Sequence, residues 1–339
     1  MGSVSVKDVA KLAGVSVGTV SNVLNNPDKV TETTITRVHD AIDRLGFVRN
    51  DAARQLRAGS SRAIGLVILD VRNPFFTDLA RGAEDAAAER GYSVIVGNSD
   101  ESDEREATYL DLFEEQRVHG MLISPVGEVA PRLRRLRERG IRSVLVDRLS
   151  WDDSFSSVSV DDVAGGRLAV EHLIETGRRR IAYVGGPASI RQVDDRLTGA
   201  RVALSEHPDA ALEVIRTSAL SIAEGVAAGQ AIAARPRARR PDAVFAANDL
   251  VAIGLLQAFA HARDIRVPDD VALVGYDDID FANASTVPLT SLRQPAALIG
   301  ATALRFLLEE AEDPGLAPRQ AHYQPELVVR SSSASAPPA

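Results

Sequence analysis

From Ala63 onward, short runs of apolar and β-branched residues alternate with stretches of helical periodicity, and this rhythm leaves few folds open. AIGLVIL (63–69), a helix from about Phe75 to Arg90, YSVIVGN (92–98), HGMLIS (119–124) and IRSVLVD (141–147) form a first series. After a break come RIAYVGG (180–186), DAVFAAN (242–248) and DVALVGYDD (270–278), again with helices between. Strands this apolar need cover on both faces, which intervening helices supply, so the pattern predicts parallel sheets. The transition near Val160 to Asp162 predicts two doubly wound halves with ligand bound between them. TSLRQ (290–294), a helix to about Glu312 and ELVVR (326–330) are placed to cross back between the halves. The expected body is therefore 63–330, with one subdomain at about 63–160 plus 294–323 and the other at about 161–290 plus 324–330. The ending SSSASAPPA (331–339) is small, polar and proline-containing, and reads as a disordered tail.

The first sixty residues differ in kind, with helical stripes and no strands. Val6, Val9, Ala10 and Ala13 fall on one helix face, and Gly14 follows where helices often stop. Ser16 is a candidate N-cap for a second helix whose Val20, Val23 and Leu24 share a face. A third helix, capped by Thr31, carries Ile35, Val38, Ile42 and Leu45 and ends at Gly46. Helix, glycine-containing turn, helix is the geometry that sets a second helix in the DNA major groove, although a plain three-helix packing module has the same stripes. The outward residues favour DNA: Ser16, Thr19, Ser21, Asn22 and Asn25 suit phosphates and base edges, whereas a merely solvated helix is rich in Glu and Lys.

Composition narrows the chemistry. There are no cysteines, and the six histidines are scattered with no HExxH among them, so no metal site and no thiol chemistry is expected. His172 and His261 belong to no Ser-His-Asp order, and GVAAGQ (225–230) lacks the lysine of a phosphate-binding loop, so no catalytic residue and no cofactor is assigned. No run reaches the ~18 apolar residues of a membrane span, and MGSVSVKDVAKLAG lacks an export pattern, so a cytoplasmic protein is expected. The chain carries a net charge of −8, yet residues 1–60 hold eight Lys/Arg against six Asp/Glu. A small basic module thus precedes an acidic body. A free solute-binding protein is the competing reading of that body, since its two lobes would look the same.

VKDVAKLAGVSVGTVSNVLN (6–25) and NDAARQLRAGSSRAIGLVILDVRNPFF (50–76) resemble the LacI/GalR family of bacterial transcriptional regulators, as do DRLTGA (195–200), FAANDLVAIGLL (245–256) and VGYDDIDFA (274–282). The resemblance runs over nearly the whole chain. It implies an α/β core of two periplasmic-binding-protein-like subdomains behind an all-α helix-turn-helix headpiece (1–49) and a hinge helix and linker (50–62). It also implies a homodimeric repressor of a near-palindromic operator, controlled by a small molecule, with sugars the expected class and nucleosides or phosphorylated corepressors serving some relatives. The tail has no leucine heptads of the kind that build tetramers in the family.

The DNA-contacting set expected from motif and resemblance is Val6, Ser16, Val17, Gly18, Thr19, Ser21, Asn22, Asn25, Asn50, Arg54 and Leu56. Val17, Gly18 and Asn22 match the family's base-reading positions. Asn22 is suited to adenine, a contact worth ~1–3 kcal/mol of discrimination, and Val17 to a thymine methyl. Leu56 matches the residue that wedges into the minor groove, while Arg54 and Arg57 suit phosphate. In an open parallel sheet ligands bind beyond the carboxyl ends of strands, where Asp70, Asp147, Arg148, Asn248 and Asp277 fall. With Arg196 and an apolar lid from Phe75, these form the expected effector site. Asp249 and Asp278 are read as helix caps, Phe76 as packing, and Trp151 as part of a surface loop.

Overall fold

The computed structural model describes residues 4–47, 61–150 and 154–334, in two compact units divided after Ser60. The first unit holds α1 (Val6–Ala13), α2 (Val17–Asn25) and α3 (Glu32–Leu45). Their stripes meet: Val9, Ala10, Ala13, Val20, Val23, Val38 and Ala41 are buried together. Asp8 accepts from the Ser5 N–H and hydroxyl at 2.9 and 2.6 Å, opening α1, and Gly14 closes it with φ 65°. The Ser16 hydroxyl accepts from the Thr19 N–H at 3.0 Å, the expected N-cap. Thr31 holds the cap position of α3, but its hydroxyl lies 3.0 Å from that of Thr34 and caps no backbone N–H.

The second unit begins with β1 (Ala63–Ile68), α4 (Pro74–Glu89), β2 (Ser93–Asn98), α5 (Asp103–Glu115), β3 (Gly120–Ile123), α6 (Ala130–Glu138), β4 (Arg142–Val146) and β5 (Ser157–Val160). The chain then passes to a second lobe: α7 (Asp162–Glu175), β6 (Arg180–Val184), α8 (Arg191–Ser205), β7 (Ala211–Ile215), α9 (Ile222–Ala233), β8 (Ala243–Ala246), α10 (Asp249–Ala262), β9 (Ala272–Asp277), α11 (Asp280–Ala284) and β10 (Thr290–Arg293). It returns as α12 (Ala296–Glu312) and β11 (Gln320–Tyr323), then crosses again to β12 (Glu326–Val328). The sheets have orders β11-β5-β4-β3-β1-β2 and β12-β10-β9-β8-β6-β7. Every described pairing is parallel except β10 with β12. Helix α12 docks on α4 through glycine, because a Cβ on Gly82 would stand 2.0 Å from the Ala297 carbonyl.

Central strands are buried on both faces: Ile64, Leu66, Val67 and Ile68 in β1 are wholly inaccessible, as are Ile123 in β3 and Val244 in β8. The three strands that apolar runs do not announce are β5, β7 and β11. Serines alternate through SVSV (157–160), while β7 is a half-exposed edge strand and β11 is the polar QAHY. The expectation of disorder from residue 331 is corrected by Ser332 and Ser333, both buried. Ser332 Oγ accepts from the Thr290 N–H (2.8 Å) and donates to the Leu273 carbonyl (2.6 Å), while Ser333 Oγ lies 2.7 Å from both Thr290 Oγ1 and His172 Nε2. Small hydroxyl residues here saturate backbone and side-chain groups inside the second lobe, a role that composition does not reveal. Residues 335–339 lie outside the described residues, as do Trp151, Asn50, Arg54, Leu56, Arg57 and so the expected hinge helix. No described helix is long and apolar enough to cross a membrane, and no group of His and carboxylates able to hold a metal occurs among the described residues.

Candidate functional site

Helix α2 presents one apolar and one polar face. Val17 is 42% exposed at its start, and Gly18, Asn22 and Asn25 are exposed beside it. Several polar groups of this face are engaged within the helix: Ser16 Oγ lies 2.9 Å from Thr19 Oγ1, and Asn25 Nδ2 donates to the Ser21 carbonyl at 2.8 Å. No side-chain hydrogen bond of Asn22 occurs among the described residues, and the residue is exposed. Val6 is half-buried against the miniature core, which makes it a packing residue within the described unit. A Cβ at Gly18 would meet only Ser16 Oγ at 3.6 Å, so the fold itself does not demand glycine there. Replacing Asn22 with alanine is expected to lower discrimination at one operator base pair per half-site by about 1–3 kcal/mol, measured across a panel of single-base operator variants. Equal weakening on every variant would show a backbone contact instead.

Polar side chains at the strand ends converge between the two lobes of the second unit. The interlobe cavity is lined by Asp70, Asn73, Glu101, Asp147, Gln192, Arg196, Asn248 and Asp277, with Leu69, Phe75, Phe76, Ile190 and Leu220 as its apolar walls. Asn73 caps α4 by accepting from the Phe75 N–H at 3.1 Å, with Pro74 at the first helical position, and this sets both rings in the cavity. The rings meet edge to face with centroids 5.0 Å apart, so Phe76 lines the cavity as well as packing. Helix α8 carries Gln192 and Arg196 four residues apart, on one face.

Arg196 is the centre of the site. Its Nε donates to Asp162 Oδ1 (2.7 Å), Nη1 donates to the Ala247 carbonyl (2.7 Å), Nη2 lies 3.9 Å from Asp277 Oδ1, and its plane covers the Tyr276 ring at 3.7 Å. Burial works against its charge, but Asp162, Tyr276, Asp277 and Asp147 outweigh that, so it stays protonated. Burial pushes up the carboxyl groups of Asp147, Asp162 and Asp277, and Arg196 opposes the rise at each. Asp147 and Asp277 both have left-handed backbones, φ 60° and 104°, an uncommon conformation that concentrates at functional sites.

The lobes touch through these same residues. Asn73 Nδ2 of the first lobe donates to Asp277 Oδ2 of the second at 2.8 Å, and Gln192 Nε2 of the second donates to Asp147 Oδ2 of the first at 2.7 Å. Gln294, on the crossing after β10, donates to Asp277 Oδ1 at 2.8 Å. Among the described residues, the buried side-chain atoms without a hydrogen-bond partner include Asp147 Oδ1, Gln192 Oε1 and Gln294 Oε1. Buried acceptors of this kind cost free energy until a donor reaches them. With the lobes in contact the cavity measures about 20 Å³, room for one water.

Of the residues expected from sequence, Asp70, Phe75, Asp147, Arg196, Asn248 and Asp277 line this cavity. Asp70 is engaged by Arg72, which donates Nε to it at 2.8 Å. Arg148 does not line it: its Nη1 donates to the Gly127 carbonyl at 2.6 Å, beside Leu133 and Phe155. Asn248, not Asp249, caps α10, accepting from the Val251 N–H at 2.9 Å. Asp249 is wholly buried and instead accepts from Ser291 Oγ (2.7 Å) and the Ile279 N–H (2.9 Å), tying three strand ends together. Asp278 caps nothing, being paired with Arg293 and Arg330 at 2.7 and 2.6 Å. Asn73, Glu101, Ile190, Gln192, Leu220 and Gln294 were not anticipated as lining or contacting residues. Gln294 ends TSLRQ and Gln192 lies three residues before DRLTGA, so proximity to the motifs was their only signal.

A helix-turn-helix unit joined to a two-lobed body with a polar interlobe cleft defines a ligand-responsive DNA-binding regulator. The chain belongs to the LacI family of bacterial regulatory proteins. The model of that family's DNA-binding domain matches residues 5–50, and a periplasmic-binding-protein-like domain matches residues 170–333. The chain is 34% identical to the ribose operon repressor of Escherichia coli K12 over 97% of this chain and 99% of that protein. Among solved structures, a lac repressor dimer bound to operator and an anti-inducer superposes with a TM-score of 0.82 at 27% identity, covering 98% of this chain and 99% of that one. A LacI-family regulator from Enterococcus faecium with bound ribose superposes with a TM-score of 0.72 at 27% identity, covering 81% of this chain and 100% of that one.

Proposed function

We propose that this protein is a non-enzymatic repressor that grips a near-palindromic operator as a homodimer in the cytoplasm and releases or tightens it on binding a pentose, ribose in the first instance. The observation that carries the sugar reading is the pair of unpartnered acceptors on cavity-lining residues, Asp147 Oδ1 and Gln192 Oε1, beside buried Arg196. A polyol brings several hydroxyl donors on adjacent carbons, which is what those atoms lack, and Phe75 and Phe76 offer flat apolar cover for a sugar ring. The ribose-bound relative and the ribose operon repressor support the same class. The dimer is supported by edge strand β2, where Ile95 and Val96 are 44% and 43% exposed. Hinge residues Asn50, Arg54 and Leu56 are assigned to DNA by family position alone.

The test is calorimetric titration of the full chain with ribose, other pentoses, hexoses and purines, followed by gel shift on the upstream region of its own gene. Saturable pentose binding that changes operator affinity is expected. By linkage, operator DNA must change pentose affinity by the same factor. Saturation by a purine alone would overturn the sugar assignment.

A further inference from the structure

Glu101 stands at the cleft on the loop between β2 and α5, in a left-handed backbone conformation with φ 57°. Its N–H is anchored to the Leu69 carbonyl at 3.1 Å, while its carboxylate reaches across to the second lobe, where Oε1 accepts from the Leu220 N–H at 3.4 Å. The carbonyl of the same Leu220 accepts from Asn248 Nδ2 at 3.3 Å, and Asn248 Oδ1 caps α10. The backbone of one residue therefore joins the first lobe to a cleft-lining amide. Glu101 and Leu220 also line the cavity themselves.

We infer that Glu101 is a positioning residue whose carboxyl group latches the first lobe to the Leu220 backbone when the lobes close, and so couples effector-facing Asn248 to closure. The inference rests on the cleft being a sugar site. A cavity of about 20 Å³ admits no pentose with the lobes in contact, so a sugar enters only when they part, and the latch re-forms around it.

A latch of this kind leaves a signature in proton uptake. Burial is the main cause pushing Glu101 up to about 7; the hydrogen bond from the Leu220 N–H opposes it, as does Arg72, while Asp70 and Asp100 add to it. In the first turn of α9, which follows Leu220, Glu224 is committed to the Ser218 N–H and hydroxyl at 2.8 and 2.9 Å. With the lobes parted, Glu101 regains water and titrates in the ordinary carboxylate range. Closure then takes up a proton, and it is favoured as pH falls through 7 and lost as pH rises above it.

Ribose titration of the full chain at pH 8 and pH 6 tests this. Wild type is expected to bind about tenfold more tightly at pH 6. Glu101→Gln keeps an acceptor for Leu220 without a titrating group, so it should bind equally at both pH values and at least as tightly as wild type does at pH 6, because wild type still takes up a proton on closing there. Glu101→Ala strands the Leu220 N–H and should bind more weakly at both. Buried Asp147 and Asp277 titrate alike in all three proteins and cancel in the comparison. The Leu220 amide resonance supplies a ligand-independent arm, expected to titrate in wild type with a midpoint raised above the ordinary carboxylate range by the closed fraction of the free protein, and not to titrate in Glu101→Gln. A Glu101→Gln protein with the wild-type pH slope, or a Leu220 amide indifferent to pH, overturns the latch. Absence of any ribose binding by wild type would sink the sugar reading instead, leaving the amide titration to decide the latch.

Discussion

Replacing Arg196 with methionine is expected to abolish saturable pentose binding and to lower the unfolding free energy by about 3–5 kcal/mol at pH 7, read from urea midpoints. Methionine fills the stem's volume but removes the one cation among buried Asp147, Asp162 and Asp277. It also strands the Ala247 carbonyl, which accepts from Nη1 at 2.7 Å. The uncompensated carboxylates drive the cost, so the variant should recover with acid. Burial already raises these groups, and without the guanidinium they rise further, so protons neutralise them over a higher pH range than in wild type. The deficit relative to wild type should therefore shrink between pH 7 and pH 5. A deficit unchanged at pH 5, with circular dichroism intact, would mean that packing against Tyr276 and not charge sets the role of Arg196.

Removing residues 1–60 is expected to eliminate operator binding altogether while leaving pentose affinity within about twofold, since every residue lining the cleft belongs to the second unit. The division after Ser60 and the headpiece's own buried core support a clean cut. The truncated protein should also lose the steep salt dependence expected of the intact chain, because the body left behind is acidic and has no basic module to release counterions. Pentose binding lost along with the headpiece would contradict the two-unit reading.

The fold was legible because its signals are periodic. Doubly buried strands such as AIGLVI cannot be satisfied without helical cover, and the three stripes of the headpiece meet as their spacing requires. Charge and amide chemistry at strand ends pointed to Asp147, Asn248 and Asp277, since a parallel sheet turns its carboxyl edge toward ligand. What stayed hidden was the division of labour among neighbours. Asn248 and Asp249 are adjacent and both can cap a helix, and only three-dimensional contacts show that Asn248 caps while Asp249 holds Ser291 and Ile279. Glu101 was obscured by its surroundings, because a carboxylate within DESDERE looks like any solvated residue until the opposite lobe is in place. Arg148 shows the reverse error. It follows a cleft aspartate in sequence, yet the strand ends at Val146 and the left-handed turn at Asp147 sends the Arg148 side chain to the Gly127 carbonyl.

The polypeptide passes between the lobes three times, after β5, after β10 and after β11, whereas the headpiece is attached by a single stretch. A regulator so wired can exchange its operator specificity by one recombination event, since one junction frees the whole reading module. Trading a lobe would need three coordinated breaks in the gene, so new ligand preference in such proteins has to arise by point substitution around Arg196 rather than by shuffling.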